Sequence, residues 1–60
     1  MKHSRFEELA ETYINGNISD TKQAVRKMNK KDLLIFVQYL NNYGIKYDDA
    51  MNKVFRMLEN

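Results

Sequence analysis

The sequence predicts an all-α protein: a compact four-helix domain with short connections, its helices spanning about residues 4–15, 20–28, 30–43 and 48–59. Three observations predict this fold. Apolar residues recur every three or four positions, the spacing of one helix face. A residue able to cap a helix precedes each of these stretches. The chain has no proline and only two glycines, Gly16 and Gly44, both at expected helix ends.

The first helix is expected to begin in the capping box Ser4-Arg5-Phe6-Glu7, in which the Ser4 hydroxyl accepts a hydrogen bond from the Glu7 N–H. Its apolar residues predict one buried stripe, formed by Phe6, Leu9, Ala10, Tyr13 and Ile14. Gly16 then supplies the left-handed residue that ends the helix.

The second helix is expected to be short, with Ser19 or Asp20 as its cap. Ile18 precedes it and is expected to anchor the connection to the core. The side chains predicted to face inward are Thr21, Ala24, Val25 and Met28.

The third helix carries the most apolar stretch of the chain, residues 33–40, in which apolar residues outnumber polar ones seven to one. Its apolar side chains fill an arc of about 160°, wider than the ~100° stripe of an ordinary surface helix. We therefore expect this helix to lie at the centre of the core. Asn29 is the predicted cap, and Ile45 should fold back on the last turn after Gly44.

The fourth helix is expected to be capped by Asp48, with Asp49 favourable in its first turn. Met57 lies at the edge of the predicted inward stripe. That stripe consists of Tyr47, Ala50, Met51, Val54, Phe55 and Leu58.

Sixty residues can form only one domain. The stability of a core this small is marginal unless a covalent cross-link, a bound metal or self-association adds to it. The chain has no cysteine and one histidine, so neither a disulfide nor a zinc site is expected. The chain therefore needs either well-packed helices or a second copy of itself, and self-association is one expectation. The sequence shows neither a signal peptide nor an apolar run long enough to cross a bilayer. It thus predicts a cytoplasmic protein with no membrane contact.

No pattern typical of an enzyme is present, whether a Gly-rich phosphate loop, HExxH, GxSxG or an EF-hand. His3 is expected to be an exposed terminal residue, and the acidic residues of the first helix form a solvated face. Asp48 and Asp49 are explained by helix capping. We therefore predict a protein without catalytic activity, cofactor, metal or small-molecule substrate.

The positive charge is concentrated in residues 22–31, although the net charge of the chain is only +2. This stretch is one candidate for a nucleic-acid-binding site. The alternative is a solvated face that keeps a small domain soluble. The cations concerned are Lys22, Arg26, Lys27, Lys30 and Lys31.

Leu34 and Ile35 fall on the polar side of the third helix, and Ile35 pairs with Tyr39 at a spacing of four. Either another helix of the chain covers them, or they form a patch that a second protein covers. We predict the second: a docking protein whose contact residues are Leu34, Ile35 and Tyr39. The charged rim of this patch is predicted to be Arg26, Lys27, Lys30 and Lys31.

Residues 6–20, FEELAETYINGNISD, resemble the opening of small uncharacterised accessory proteins encoded by tailed bacteriophages. In those proteins a helix ending in an aromatic residue and an Asn-Gly-Asn-x-Ser turn precedes a short helix. The resemblance covers about fifteen residues and implies a phage protein made in the bacterial cytoplasm. It also implies an accessory or regulatory role exercised by binding a host or phage protein, and it carries over no functional residue.

Overall fold

The computed structural model describes residues 4–59, apart from the side chain of Ser4. It contains four helices, α1 (Ser4–Ile14), α2 (Ile18–Arg26), α3 (Lys30–Asn42) and α4 (Tyr47–Glu59). The connections are residues 15–17, 27–29 and 43–46. The predicted all-α, four-helix domain is therefore confirmed. The predicted capping bond of Ser4 and the placement of His3 lie outside the described residues.

The helices form a ring in which each packs against two neighbours. Helix α1 contacts α2 and α3, and α4 contacts the same two helices. The buried apolar side chains meet inside this ring, and the two largest that are fully buried, Phe36 and Leu40, come from α3. This agrees with the predicted central role of α3. The core consists of Phe6, Ala10, Val25, Phe36, Val37, Leu40, Ala50, Val54 and Met57.

Both glycines end a helix in the predicted way, with φ angles of +96° at Gly16 and +103° at Gly44. After α3, the N–H of Ile45 donates to the Leu40 carbonyl at 3.2 Å and that of Gly44 to the Asn41 carbonyl at 3.0 Å. This is the bonding of a Schellman motif. Ile45 packs against the core, as predicted.

Helix α2 begins earlier than predicted, and its cap is Asn17 rather than Ser19 or Asp20. The Asn17 side chain accepts a hydrogen bond from the Asp20 N–H at 3.3 Å. Because Asn17 directly follows the left-handed Gly16, the new helix can start at once. Ile18 is its first residue and is exposed, so the prediction that it anchors the connection to the core is wrong.

The starts of the other helices agree better with prediction. Asn29 caps α3, its side chain accepting from the Asp32 N–H at 2.8 Å. Helix α4 begins one residue before the predicted cap, and its first turn closes when the Ala50 N–H donates to the Lys46 carbonyl at 2.8 Å. Asp48 and Asp49 therefore both lie in the first turn, where their carboxylates interact favourably with the positive end of the helix dipole.

Candidate interaction site

Helix α4 turns a different face to the core from the one predicted. Its buried residues are Ala50, Val54 and Met57, so Met57 lies inside the stripe rather than at its edge. At 100° per residue, the buried face is rotated by roughly 60° from the predicted one. The predictions that Tyr47, Phe55 and Leu58 face inward are consequently wrong, and these side chains are 42%, 47% and 37% exposed.

The sequence prediction is also wrong at the end of α1. Ile14 was predicted to continue the buried stripe, but it is the last residue of the helix and is exposed. Neighbouring helices do not cover this final position. Tyr13, one residue earlier, does pack against the core.

The exposed Phe55 borders an apolar groove between α3 and α4, which we call the α3–α4 groove. It has a volume of about 120 Å³. Every side chain that lines it is apolar except Lys30 at one end. The lining residues are Lys30, Leu33, Leu34 and Val37 from α3, and Met51, Val54 and Phe55 from α4.

Among the predicted contact residues, Leu34 lies in this groove and is 41% exposed. Ile35 and Tyr39 are half-buried and pack against the core. The Tyr39 ring stacks on Phe6 with 6.0 Å between the ring centroids. The structure thus groups Leu34 with Phe55 of α4 rather than with Ile35 and Tyr39.

The four predicted rim cations occupy different surroundings. Lys30 lines the groove, and Arg26 and Lys31 are exposed. Lys27 instead borders a separate depression. That depression contains an ion pair between the Arg5 guanidinium and the Asp32 carboxylate, at 3.1 Å.

A second depression, of about 220 Å³, lies between α2 and α4 and is bordered by Lys22, Lys53 and Arg56. We call it the α2–α4 basic pocket. None of its lining side chains is acidic, the others being Tyr13, Ile18 and Met57. Asp49 lies nearby, lining an adjacent depression with Lys53 and Arg56. Of the cations in residues 22–31, only Lys22 belongs to the basic pocket.

One titratable group between α1 and α3 is perturbed. The Tyr43 hydroxyl donates a hydrogen bond to a Glu11 carboxylate oxygen at 3.1 Å. Partial desolvation, this hydrogen bond and the negative charge of Glu11 raise the pKa of Tyr43 above 10.0. Both residues are exposed, so this is a surface link between α1 and the C-cap of α3 rather than a reactive centre.

Within residues 4–59, no group of three or more histidine, aspartate or glutamate side chains could hold a metal ion. No helix in this range is long and apolar enough to cross a membrane. In the same range, every buried side-chain nitrogen or oxygen has a hydrogen-bond partner.

No protein-family model, curated protein or solved structure matches the chain.

Proposed function

We propose that this is a non-enzymatic interaction protein that docks on a protein chain through the α3–α4 groove. The observation that supports the proposal is the exposure of Leu34 and Phe55, one from each helix, in a groove whose lining is apolar except for Lys30. Contiguous exposed apolar surface on a small domain is typical of interaction sites. Aromatic residues and methionine, here Phe55 and Met51, are enriched in such sites.

The gain from docking would come mainly from burying these two side chains. Removing apolar surface from water contributes about 25 cal/mol per Å². Lys30, at the end of the groove, would act chiefly on the association rate and its dependence on salt. Ile35 and Tyr39 remain candidates for secondary contact through the parts of their side chains that are exposed.

The cellular setting is part of the same proposal and rests on the resemblance of residues 6–20 to phage accessory proteins. We infer an accessory or regulatory protein of the bacterial cytoplasm, whose partner is a host or phage protein. The proposal includes no catalytic activity, cofactor or membrane contact.

Capture experiments with matched variants test the docking proposal. Leu34→Asp and Phe55→Asp each place a charge at the groove, whereas the control Ile14→Asp places the same charge on another exposed apolar residue. We expect a bacterial protein to be retained by the wild type and by the control but not by the groove variants. The same pattern should recur with the purified partner. A partner retained equally by all four proteins would contradict the proposal.

A second candidate function, nucleic-acid binding, is favoured by the convergence of Lys22, Lys53 and Arg56 on the α2–α4 basic pocket. Phosphate contacts would make retention on duplex DNA fall steeply with salt. We expect Lys53→Gln to weaken that retention and Lys31→Gln, which removes the same charge elsewhere, to leave it unchanged. Failure to bind duplex DNA at low salt would exclude this function.

A further inference from the structure

We infer that the α2–α4 basic pocket binds a small phosphate monoester that carries an aromatic or heteroaromatic ring, the chemical class to which mononucleotides belong. The pocket shares no lining residue with the α3–α4 groove, so this inference goes beyond the proposed docking function and does not depend on it. The charge, the apolar lining and the size of the pocket each support it.

The three cations of the pocket lie close together without a counter-charge. Lys53 and Arg56 lie one turn apart on the same side of α4, and Lys22 borders the same pocket from α2. Lys22 is half-buried, whereas every other cationic side chain that the structure describes is exposed. Among residues 4–59, none of the three side chains forms an ion pair or a hydrogen bond. Since like charges repel one another, a bound anion would lower the free energy of this arrangement.

The net charge of the site matches a phosphate monoester better than a carboxylate. Asp49 lines the adjacent depression beside Lys53 and Arg56, so the charge around the pocket is +2. A phosphate monoester carries about −1.5 to −2 at pH 7 and has three terminal oxygens that accept hydrogen bonds. Arg56 can bind two of these oxygens at once through its guanidinium. A carboxylate carries a single charge and has only two oxygens.

The rest of the lining is apolar and consists of Tyr13, Ile18 and Met57. Tyr13 and Met57 pack in the core, which fixes their positions, and Ile18 is 44% exposed. Inorganic phosphate would leave these side chains in contact with water, whereas a ring attached to the phosphate would cover them. An aromatic ring also makes favourable contacts with the ring of a tyrosine and with the sulfur of a methionine.

The volume of the pocket, about 220 Å³, limits the size of the ligand. A closed cavity of about 150 Å³ admits a benzene ring, so the pocket has room for one ring and one phosphate. A duplex fits it less well, because its rings are stacked between the strands and cannot reach the apolar lining. Each phosphate of a duplex also carries only one negative charge. The pocket therefore fits a free small molecule better than it fits duplex DNA.

An NMR titration of the protein with phenyl phosphate, a minimal ligand of this class, tests the inference. We expect saturable changes in amide chemical shift, largest around the pocket, with a Kd of about 1 mM or tighter. Inorganic phosphate and phenol each have only one of the two parts of the ligand, so each should bind about tenfold more weakly. Adenosine 5′-monophosphate should bind at least as tightly as phenyl phosphate.

Variants of the lining separate the contribution of charge from that of apolar contact. Lys22→Gln and Arg56→Gln should each raise the Kd for phenyl phosphate about tenfold, because each removes a charge-assisted hydrogen bond. Ile18→Ala should raise it about threefold and leave the Kd for inorganic phosphate unchanged, because only apolar surface is lost. Lys31→Gln removes the same charge from α3 and is the control, which should bind like the wild type.

Circular dichroism first establishes that each variant keeps its helices. The inference is overturned if phenyl phosphate gives no saturable change, or if its binding survives both Lys22→Gln and Arg56→Gln. Equal affinity for phenyl phosphate and inorganic phosphate would also overturn it, because the apolar lining would then contribute nothing. Retention of duplex DNA that depends on Lys53, without binding of phenyl phosphate, would overturn this inference and support the nucleic-acid function instead. The docking proposal is tested separately, through Leu34 and Phe55.

Discussion

Replacing Leu34 or Leu40 with alanine distinguishes an exposed groove from a continuation of the core. The two residues lie six positions apart on α3, and they have the same side chain. Leu40 is fully buried, whereas Leu34 is 41% exposed. The same truncation should therefore have different effects on the free energy of unfolding.

The expected magnitudes follow from burial. Leu40→Ala leaves a cavity inside the ring of helices and should cost about 2–5 kcal/mol. At Leu34 only about three fifths of the side chain is buried, and a site open to solvent leaves no closed cavity, so the cost should be about 1 kcal/mol. A domain of this length has a total stability of about 3–9 kcal/mol. Leu40→Ala should therefore lose a large share of this stability, whereas Leu34→Ala should lose a small share and remain folded.

Urea denaturation followed by circular dichroism measures both effects. It should be done at a concentration at which sedimentation shows single chains, so that association does not contribute to the stability. The slope of the unfolding free energy against urea should match that of the wild type in Leu34→Ala. Equal losses in the two variants would refute the argument, because Leu34 would then belong to the core and the groove would not be a free surface.

Three further predictions concern the helix ends and one surface contact. Asn29→Ala removes the acceptor for the Asp32 N–H and should lower the unfolding free energy by about 1 kcal/mol, measured in urea. Gly44→Ala meets no atom within 4 Å but keeps φ at +103°, so backbone strain should cost about 1 kcal/mol and lower the melting temperature. Because its pKa is raised by folding, Tyr43 should reduce stability as pH rises above about 10. Glu11→Gln should move that pKa back toward its ordinary value, as measured by NMR titration.

Most of the fold could be predicted because its determinants are local. The stops at Gly16 and Gly44 depend on the few residues of one turn, and the Asn29 cap on one side chain. The inward positions of Phe36 and Leu40 follow from the 3.6-residue period of a single helix. The start of α2 was missed because three residues able to cap a helix, Asn17, Ser19 and Asp20, lie within four positions, and the one nearest the glycine, Asn17, is the cap.

The site was predicted only in part because it depends on how helices meet. Met51, Val54, Phe55, Met57 and Leu58 give α4 a wider apolar arc than the core can cover, and periodicity alone does not say which edge is left out. In the structure Met57 is buried and Phe55 is left beside Leu34. Similarly, Lys22 is joined by Lys53 and Arg56, which are remote in sequence. No pattern within a single helix indicates either grouping.

Photo-crosslinking in cells tests the central claim, that a protein chain occupies the α3–α4 groove, most directly. A photoreactive phenylalanine analogue would be placed at position 55, or at position 14 as an exposed control on α1. If a protein chain occupies the groove, position 55 should give a crosslinked product heavier than 7.2 kDa by the mass of the occupant, and position 14 should give none. Crosslinks from position 14 alone, or from neither position, would contradict it.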